Sequence, residues 1–226
     1  MPQPSDAPAP ADPALLAINL MIREGYDAIT VDDLAAASGI SRSTFFRRFG
    51  SKEDVVFADH DYILGKVTEF LRHSVRDPLT AIAEAALLVF RHHVEHRETS
   101  MARHRLLQQE PFLRDRELVS SHRYERLFRD HLTATVENPG GKSYRIVAVA
   151  AAVVAVHNAF LRQWFREPGT DLLPQLDAEL HTLVESLAPY FSGTSERRSA
   201  PSVLVATLPA AASRSEILQA IEAALP

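Results

Sequence analysis

Basic side chains cluster in residues 41–52 of this 226-residue chain, which read SRSTFFRRFGSK. The segment carries Arg42, Arg47, Arg48 and Lys52 and no acidic residue. Guanidinium and ammonium groups bind phosphate oxygens, and an arginine can also read guanine with a discrimination of roughly 1–3 kcal/mol. The whole chain has a formal net charge of -5, so its remainder carries -9. We therefore expect binding of a polyanion to be confined to this patch and to weaken strongly with salt.

Two short helices joined by a tight turn are predicted to position these side chains. In residues 30–52, Thr30 and Ser41 are suited to cap the two helices, and Gly39 lies in the turn. The positions that would pack both helices against a preceding helix are Leu34, Ala35, Ile40, Phe45 and Phe49. This pattern predicts a helix-turn-helix motif, whose second helix enters the major groove of DNA. The alternative is a solvated basic face in an ordinary helical bundle.

Helical spacing also dominates the rest of the chain, so we predict an all-α fold. Ser51 is expected to cap a fourth helix that begins at Lys52. Further helices are predicted near residues 79–97, 100–109, 112–136, 143–166 and 173–191, separated by proline- and glycine-containing breaks. The predicted domains are an arm without regular structure (1–12), a DNA-binding domain (13–52), a helical ligand-binding and dimerisation domain (53–191), and a linker with a short tail helix (192–226).

Composition excludes several classes of site and favours a cytoplasmic protein. The chain has no cysteine, which excludes disulfides, zinc–thiolate sites, iron–sulfur clusters and cysteine nucleophiles. The N-terminus lacks the basic and apolar regions of a signal peptide. The longest apolar run, residues 146–156, has eleven residues, and a membrane span needs about 20. We therefore expect no membrane partner.

The stretch GYDAITVDDLAAASGISRSTFFRRFGSKEDVV, which begins at Gly25, resembles the DNA-binding domain of the TetR/AcrR family of bacterial transcriptional regulators. The resemblance runs from Ala17 to Phe57 without gaps, and the all-helical remainder fits the family's architecture. It implies contacts to double-stranded operator DNA from Thr30, Arg42, Ser43, Thr44, Phe46, Arg47, Arg48 and Lys52. Thr30 and Lys52 would approach phosphates, and the others would face bases or backbone. Many family members have tyrosine where this chain has Phe46. The phenylalanine ring has no hydroxyl for a phosphate and can contact only a thymine methyl or a sugar.

The apolar helix near residues 143–166 must bury more than one face. It is either the central helix of a monomer or one that also faces a second subunit, and its alanines permit close contact between helices. The resemblance implies a homodimer through helices near 143–166 and 173–191.

The resemblance also implies a small-molecule pocket in the C-terminal domain. Candidate lining residues are Phe90, His93, His104, His157, Asn158, Phe160 and Trp164. Each is alternatively an ordinary core residue. Arginines at positions 103, 105, 114 and 116 suit an anionic effector such as an acyl-CoA-like molecule. The expected effector is therefore a small molecule that is hydrophobic or acyl-CoA-like.

Two other patterns carry less weight. His92, His93 and His96 have a spacing that can bind a metal, but no third carboxylate ligand accompanies them, so solvated histidines are the favoured interpretation. Residues 136–143, VENPGGKS, end like a phosphate-binding loop but lack the first glycine and a preceding strand. We predict no metal, no cofactor and no catalytic residue.

The sequence thus predicts a sequence-specific DNA-binding transcriptional regulator, a repressor that a small-molecule effector releases from its operator. The alternatives are a constitutive regulator without an effector and an enzyme with an incidental helix-turn-helix. No catalytic constellation supports the enzyme.

Overall fold

The computed structural model of the chain describes residues 12–136 and 143–191. In these ranges the regular structure is entirely helical, which confirms the predicted all-α class. The α-helices are α1 (Pro13–Glu24), α2 (Val31–Ala37), α3 (Arg42–Phe49), α4 (Ala58–His73), α5 (Pro78–Glu95), α6 (Arg97–Gln109), α7 (Pro111–Thr135), α8 (Ser143–Arg166) and α9 (Leu173–Leu187). Short 3-10 helices span Asp54–Phe57 and Ala188–Tyr190. The predicted arm, tail helix and VENPGGKS loop fall wholly or mainly outside the described residues.

Two apolar clusters form the core. The first joins α1, α2, α3 and residues 55–57 with Ala102, Leu106, Leu107 and Leu113 from α6 and α7. The second is built from α4, α5, α7, α8 and α9. The first cluster therefore extends past the predicted domain boundary at residue 52 and rests on the C-terminal helices. A movement of α6 or α7 is expected to reach α1, α2 and α3, because packed interiors transmit strain.

The start of the fourth helix differs from the prediction. Ser51 Oγ accepts a hydrogen bond from the Asp54 N–H at 3.1 Å, but the turn that follows is a 3-10 helix and α4 begins at Ala58. Three consecutive residues, Val55, Val56 and Phe57, are buried. Consecutive side chains of a 3-10 turn point about 120° apart, so all three are buried only because the segment passes through the first core.

Two other helix ends were predicted less accurately. α6 begins at Arg97, three residues before the predicted start. α9 ends at Leu187 and continues only as a 3-10 turn that contains Pro189. A proline lacks the N–H that a further α-helical turn would use.

Helix α8 is longer and more apolar than its eleven-residue run suggested. Within residues 144–166, a window of 18 residues reaches a mean hydropathy of 1.7, and 33% of that window is buried. Among the described helices it alone is long and apolar enough to cross a membrane. The eleven-residue run therefore understates the apolar length of this helix. Length and composition are weak evidence, because a core helix of a soluble protein passes the same test.

Candidate functional site

The helix-turn-helix motif forms as predicted, and its caps are made by the expected residues. Thr30 Oγ1 accepts from the Asp33 N–H at 3.3 Å, and Asp33 accepts from the Thr30 N–H at 2.9 Å, which completes a capping box. The Thr30 hydroxyl also donates to the Asp33 carboxylate at 2.6 Å, and this bond, together with the one from the Thr30 N–H, holds the pKa of the Asp33 carboxyl below its ordinary value. Ser41 caps α3 by accepting from the Thr44 N–H at 3.2 Å. Gly39, with φ +67°, makes the turn between the two helices.

Burial divides α3 into an inner and an outer face. Phe45 and Phe49 are buried in the first core and lie 5.1 Å apart between ring centroids. Ile40, the remaining predicted core position of the turn, is only partly buried. The outer face carries Arg42, Ser43, Phe46, Arg47 and Arg48, with Thr44 at its edge. Phe46 is 42% exposed, an unusual position for a large apolar ring.

Two of the basic residues have partners within the chain. Arg42 makes an ion pair of 2.7 Å with Asp32 of α2, and its guanidinium lies 5.5 Å from the Phe46 ring centroid. Both members of this pair are well exposed, so its contribution to stability is small and Arg42 remains available to another anion. Arg48 lies over the Phe49 ring at 5.1 Å, and both Arg47 and Arg48 are exposed.

Lys52 lies differently from what the sequence suggested. Its ammonium group donates to the backbone carbonyls of Tyr26 and Ile29 and lies 4.1 Å from the Tyr26 ring centroid. Lys52 therefore stabilises the loop between α1 and α2. Its predicted contact with a phosphate stays a prediction.

A cavity of about 730 Å³ lies in the C-terminal helices. Four of the seven predicted pocket residues line it: His93, His104, His157 and Asn158. The other three do not. Phe90 and Trp164 are buried in the second core, and Phe160 packs against it. Core packing therefore determines where these three rings lie.

The arginine prediction divides in the same way. Arg103 and Arg114 line the cavity, whereas Arg116 pairs with Asp54 and Arg105 lines a separate surface depression. Arg103 is 2% exposed and forms an ion pair with Asp59 of α4. Burial acts to raise the pKa of Asp59, but the guanidinium of Arg103 holds that pKa well below its ordinary value.

Sequence reasoning missed other lining residues: His60, Glu117, Tyr124, Arg162 and Arg166. These five side chains are polar or charged, and their spacing in the sequence gives no sign that they face a cavity. The prediction that His92 and His93 are solvated is wrong, because both are buried, and only His96 of the three is exposed. No group of three metal-binding side chains occurs within the part of the chain that the structure describes.

Burial keeps the cavity histidines neutral. It lowers the pKa of His60 to about 3 and that of His157 to about 4, and it lowers the pKa of His93 well below its ordinary value. Burial likewise raises the pKa of Tyr124 and of Glu117. The inner wall therefore offers neutral hydrogen-bonding groups beside one internally paired arginine.

Comparison with known proteins connects both sites to one family. The family model described as "Bacterial regulatory proteins, tetR family" matches residues 16–58, and the one described as the MftR C-terminal domain matches residues 76–188, half of the chain. A relative from Mycobacterium tuberculosis (strain ATCC 25618 / H37Rv), which bears the name mycofactocin biosynthesis transcriptional regulator MftR, is 36% identical over 80 residues. That alignment covers 33% of this chain and only 38% of the relative.

Solved structures of regulators share the fold. The TetR family transcriptional regulator PfmR from Thermus thermophilus matches with a TM-score of 0.50 and 23% identity, over 77% of this chain and 98% of PfmR. The fatty acid degradation regulator FadR from Bacillus halodurans matches with a TM-score of 0.52 and 15% identity, over 76% of this chain and 96% of FadR. At these identities the likeness concerns the fold alone. The two family models and the helix-turn-helix geometry together show that the chain belongs to the TetR family of bacterial transcriptional regulators.

Proposed function

We propose that the chain is a cytoplasmic, homodimeric repressor that binds operator DNA through α3 and is released when an effector occupies the cavity of its C-terminal helices. The observation that carries this proposal is the outer face of α3. It presents Arg42, Arg47 and Arg48 on a short helix that two buried phenylalanines and the Ser41 cap hold in place. A rigid basic helix of this kind fits the major groove.

Each predicted contact has a role that follows from its place on that helix. Ser43 and Thr44 lie in the first turn of α3, where hydroxyl groups can bond to base edges or to phosphate. Arg47 and Arg48 lie in its last turn and neutralise phosphates or read guanine. Thr30 begins α2, where the exposed N-terminus of a helix attracts a phosphate.

The dimer is proposed to form through α8 and α9. On α8, Val147 is 51% exposed, and Ala148, Ala155 and Ala159 are exposed as well. These spacings place them on one apolar face, which small side chains make smooth enough for close packing against a second copy. A two-fold dimer would present two α3 helices to half-sites about one helical turn, or a multiple of it, apart.

The cavity has the size and chemistry of an effector site. Its volume lies within the range of roughly 300–1,000 Å³ that is usual for small-molecule sites. Apolar residues such as Val154 and Leu161 form part of the wall, and the exposed arginines Arg114, Arg162 and Arg166 border it. This combination suits a hydrophobic effector with an anionic group, of which an acyl-CoA-like molecule is one example.

The corner between α6 and α7 connects the cavity to the DNA-binding helices. Arg114 lines the cavity, and its neighbour Leu113 is buried in the first core. Phe112 packs edge-on against Tyr26 at 4.9 Å, and Arg116 pairs with Asp54. An effector that displaces this corner would shift the two α3 helices, and coupling of this kind is typically worth about 1–3 kcal/mol.

The DNA-binding part of the proposal is tested with promoter DNA from upstream of the chain's own gene. Binding is measured over a series of salt concentrations for the wild-type chain and for the double variant Arg47→Ala/Arg48→Ala. Each lost phosphate contact lowers the log–log salt slope by about 0.9, so two arginines in two protomers remove up to about 3.6. Arg126→Ala, an exposed arginine on α7, is the control and should leave the slope unchanged. An unchanged slope in the double variant would refute the role of α3.

The effector part is tested separately, by thermal-shift screening and by release from the same DNA. The proposal predicts a ligand that both stabilises the free chain and weakens its operator complex. A constitutive regulator predicts that no ligand does both.

A further inference from the structure

Three buried polar atoms of cavity-lining residues have no hydrogen-bond partner among the described residues. They are His60 Nδ1 on α4, Tyr124 Oη on α7 and His157 Nε2 on α8. A buried polar group left without a partner destabilises the fold, because it loses its hydrogen bonds to water and gains none in return. Three such groups on three helices around one cavity indicate that a bound molecule supplies their missing hydrogen-bond partners.

The hydrogen bonds of the neighbouring atoms decide what each group can offer. His157 Nδ1 lies 3.1 Å from Asn158 Oδ1, and the amide nitrogen of Asn158 is directed to Ser121. Because the amide oxygen can only accept, Nδ1 carries the proton of the neutral ring and Nε2 is an acceptor. The Tyr124 hydroxyl is protonated at neutral pH and is a donor that can also accept. The wall therefore offers both a donor and an acceptor.

The charge of this wall is balanced. Arg103 is the one buried cation at the cavity among the described residues, and its guanidinium is already paired with Asp59 and lies 3.4 Å from His93 Nδ1. A carboxylate at this wall would face the lone pair of His157 Nε2 without an unpaired cation, which is costly in a desolvated site. A hydroxyl can donate to His157 and accept from Tyr124 at once, whereas a ketone can only accept.

We propose that Tyr124 and His157 form a subsite for an uncharged hydroxyl group of the effector, with His60 beside it. This inference rests on the proposed effector cavity and names what its inner wall takes: an alcohol on the apolar part of the effector, away from the anionic group that the bordering arginines suit. In the free chain the three atoms are covered by neighbouring side chains, and the alcohol reaches them through a local adjustment of the wall.

Calorimetric titration of the full chain with 1-octanol, 2-octanone and octanoate tests the subsite. The wild-type chain should bind the alcohol more tightly than the ketone. Tyr124→Phe, which removes one oxygen from an unchanged ring, should weaken binding of the alcohol and of the ketone about five- to tenfold and leave octanoate unaffected. His157→Phe should weaken the alcohol but not the ketone. The matched control is Tyr62→Phe, a tyrosine of α4 that is 59% exposed and does not line the cavity.

The outcomes separate this inference from the proposed function. If octanoate binds but Tyr124→Phe leaves the affinity for octanol within twofold, the subsite is wrong and the effector cavity stands. If none of the three probes binds, the subsite and the effector cavity both fall, while the salt titration of promoter DNA still decides the role of α3. The melting temperature of Tyr124→Phe without ligand should be unchanged or raised, because the hydroxyl it loses has no partner in the free chain.

Discussion

At the scale of single residues, basic side chains have different environments in the two halves of the chain. Arg47 and Arg48 are exposed on α3, where their charge is available to a polyanion. Arg103 is buried, and its charge is neutralised by Asp59. Lys52 is partly buried and donates to two backbone carbonyls. The environment of each cation, rather than its identity, decides whether its charge is available to a polyanion, is neutralised in a core or stabilises a loop.

The buried histidines make stability depend on pH. In the folded chain the pKa of His157 is about 4 and that of His60 about 3, below the ordinary value of 6.5. The unfolded chain therefore binds more protons below about pH 6.5, and stability that is present above that pH is lost as the pH falls toward these values. At pH 5 each histidine is expected to reduce the free energy of unfolding by about 2 kcal/mol relative to pH 7.

Chemical denaturation at pH 7 and pH 5 measures this loss. The variant His157→Phe should show a smaller difference between the two pH values than the wild-type chain. His122→Phe, which changes an exposed histidine of α7, is the control and should keep the full difference. Equal pH dependence in the wild-type and His157→Phe chains would contradict the assignment.

At the scale of elements, α2 and α3 have 7 and 8 residues, too few to be stable alone, and depend on their caps and on the core. The cap at Thr30 could be predicted from the sequence because a cap joins residues three apart. The 3-10 turn at Asp54–Phe57 was not, because its buried residues follow no helical period and are held by a core whose members lie elsewhere in the chain.

Loss of the α2 cap should be measurable. Thr30→Ala removes the acceptor for the Asp33 N–H and the donor to its carboxylate, and is expected to lower the free energy of unfolding by about 1 kcal/mol. Thr30→Ser keeps the hydroxyl and should stay close to the wild-type chain. Urea denaturation of the three chains compares them, and a destabilised serine variant would show that the methyl group, not the cap, matters.

At the scale of the whole molecule, the exposed alanine face of α8 predicts a dimer. Ala155→Glu places a charge in the centre of that face and should convert the dimer to a folded monomer that no longer binds the operator, because burial of an unpaired carboxylate is strongly unfavourable. Sedimentation and promoter binding provide the two measurements. Val75→Glu, at a residue that is 98% exposed, is the matched control. A dimer of Ala155→Glu with wild-type affinity would place the interface elsewhere.

The local sequence was sufficient for the helix-turn-helix, its caps, the inner positions Phe45 and Phe49, and the order of the helices. Capping and helical periodicity act between residues three or four apart, so short stretches of sequence contain them. Periodicity shows which face of a helix is apolar, but it does not show which other helix covers that face. Only the tertiary structure shows that Arg103 pairs with Asp59 and that His60 and Tyr124 line the cavity. It also shows that Phe90 and Trp164 are buried in the core. Those outcomes depend on contacts between residues far apart in the chain, where packing of several helices at once decides which side chains meet.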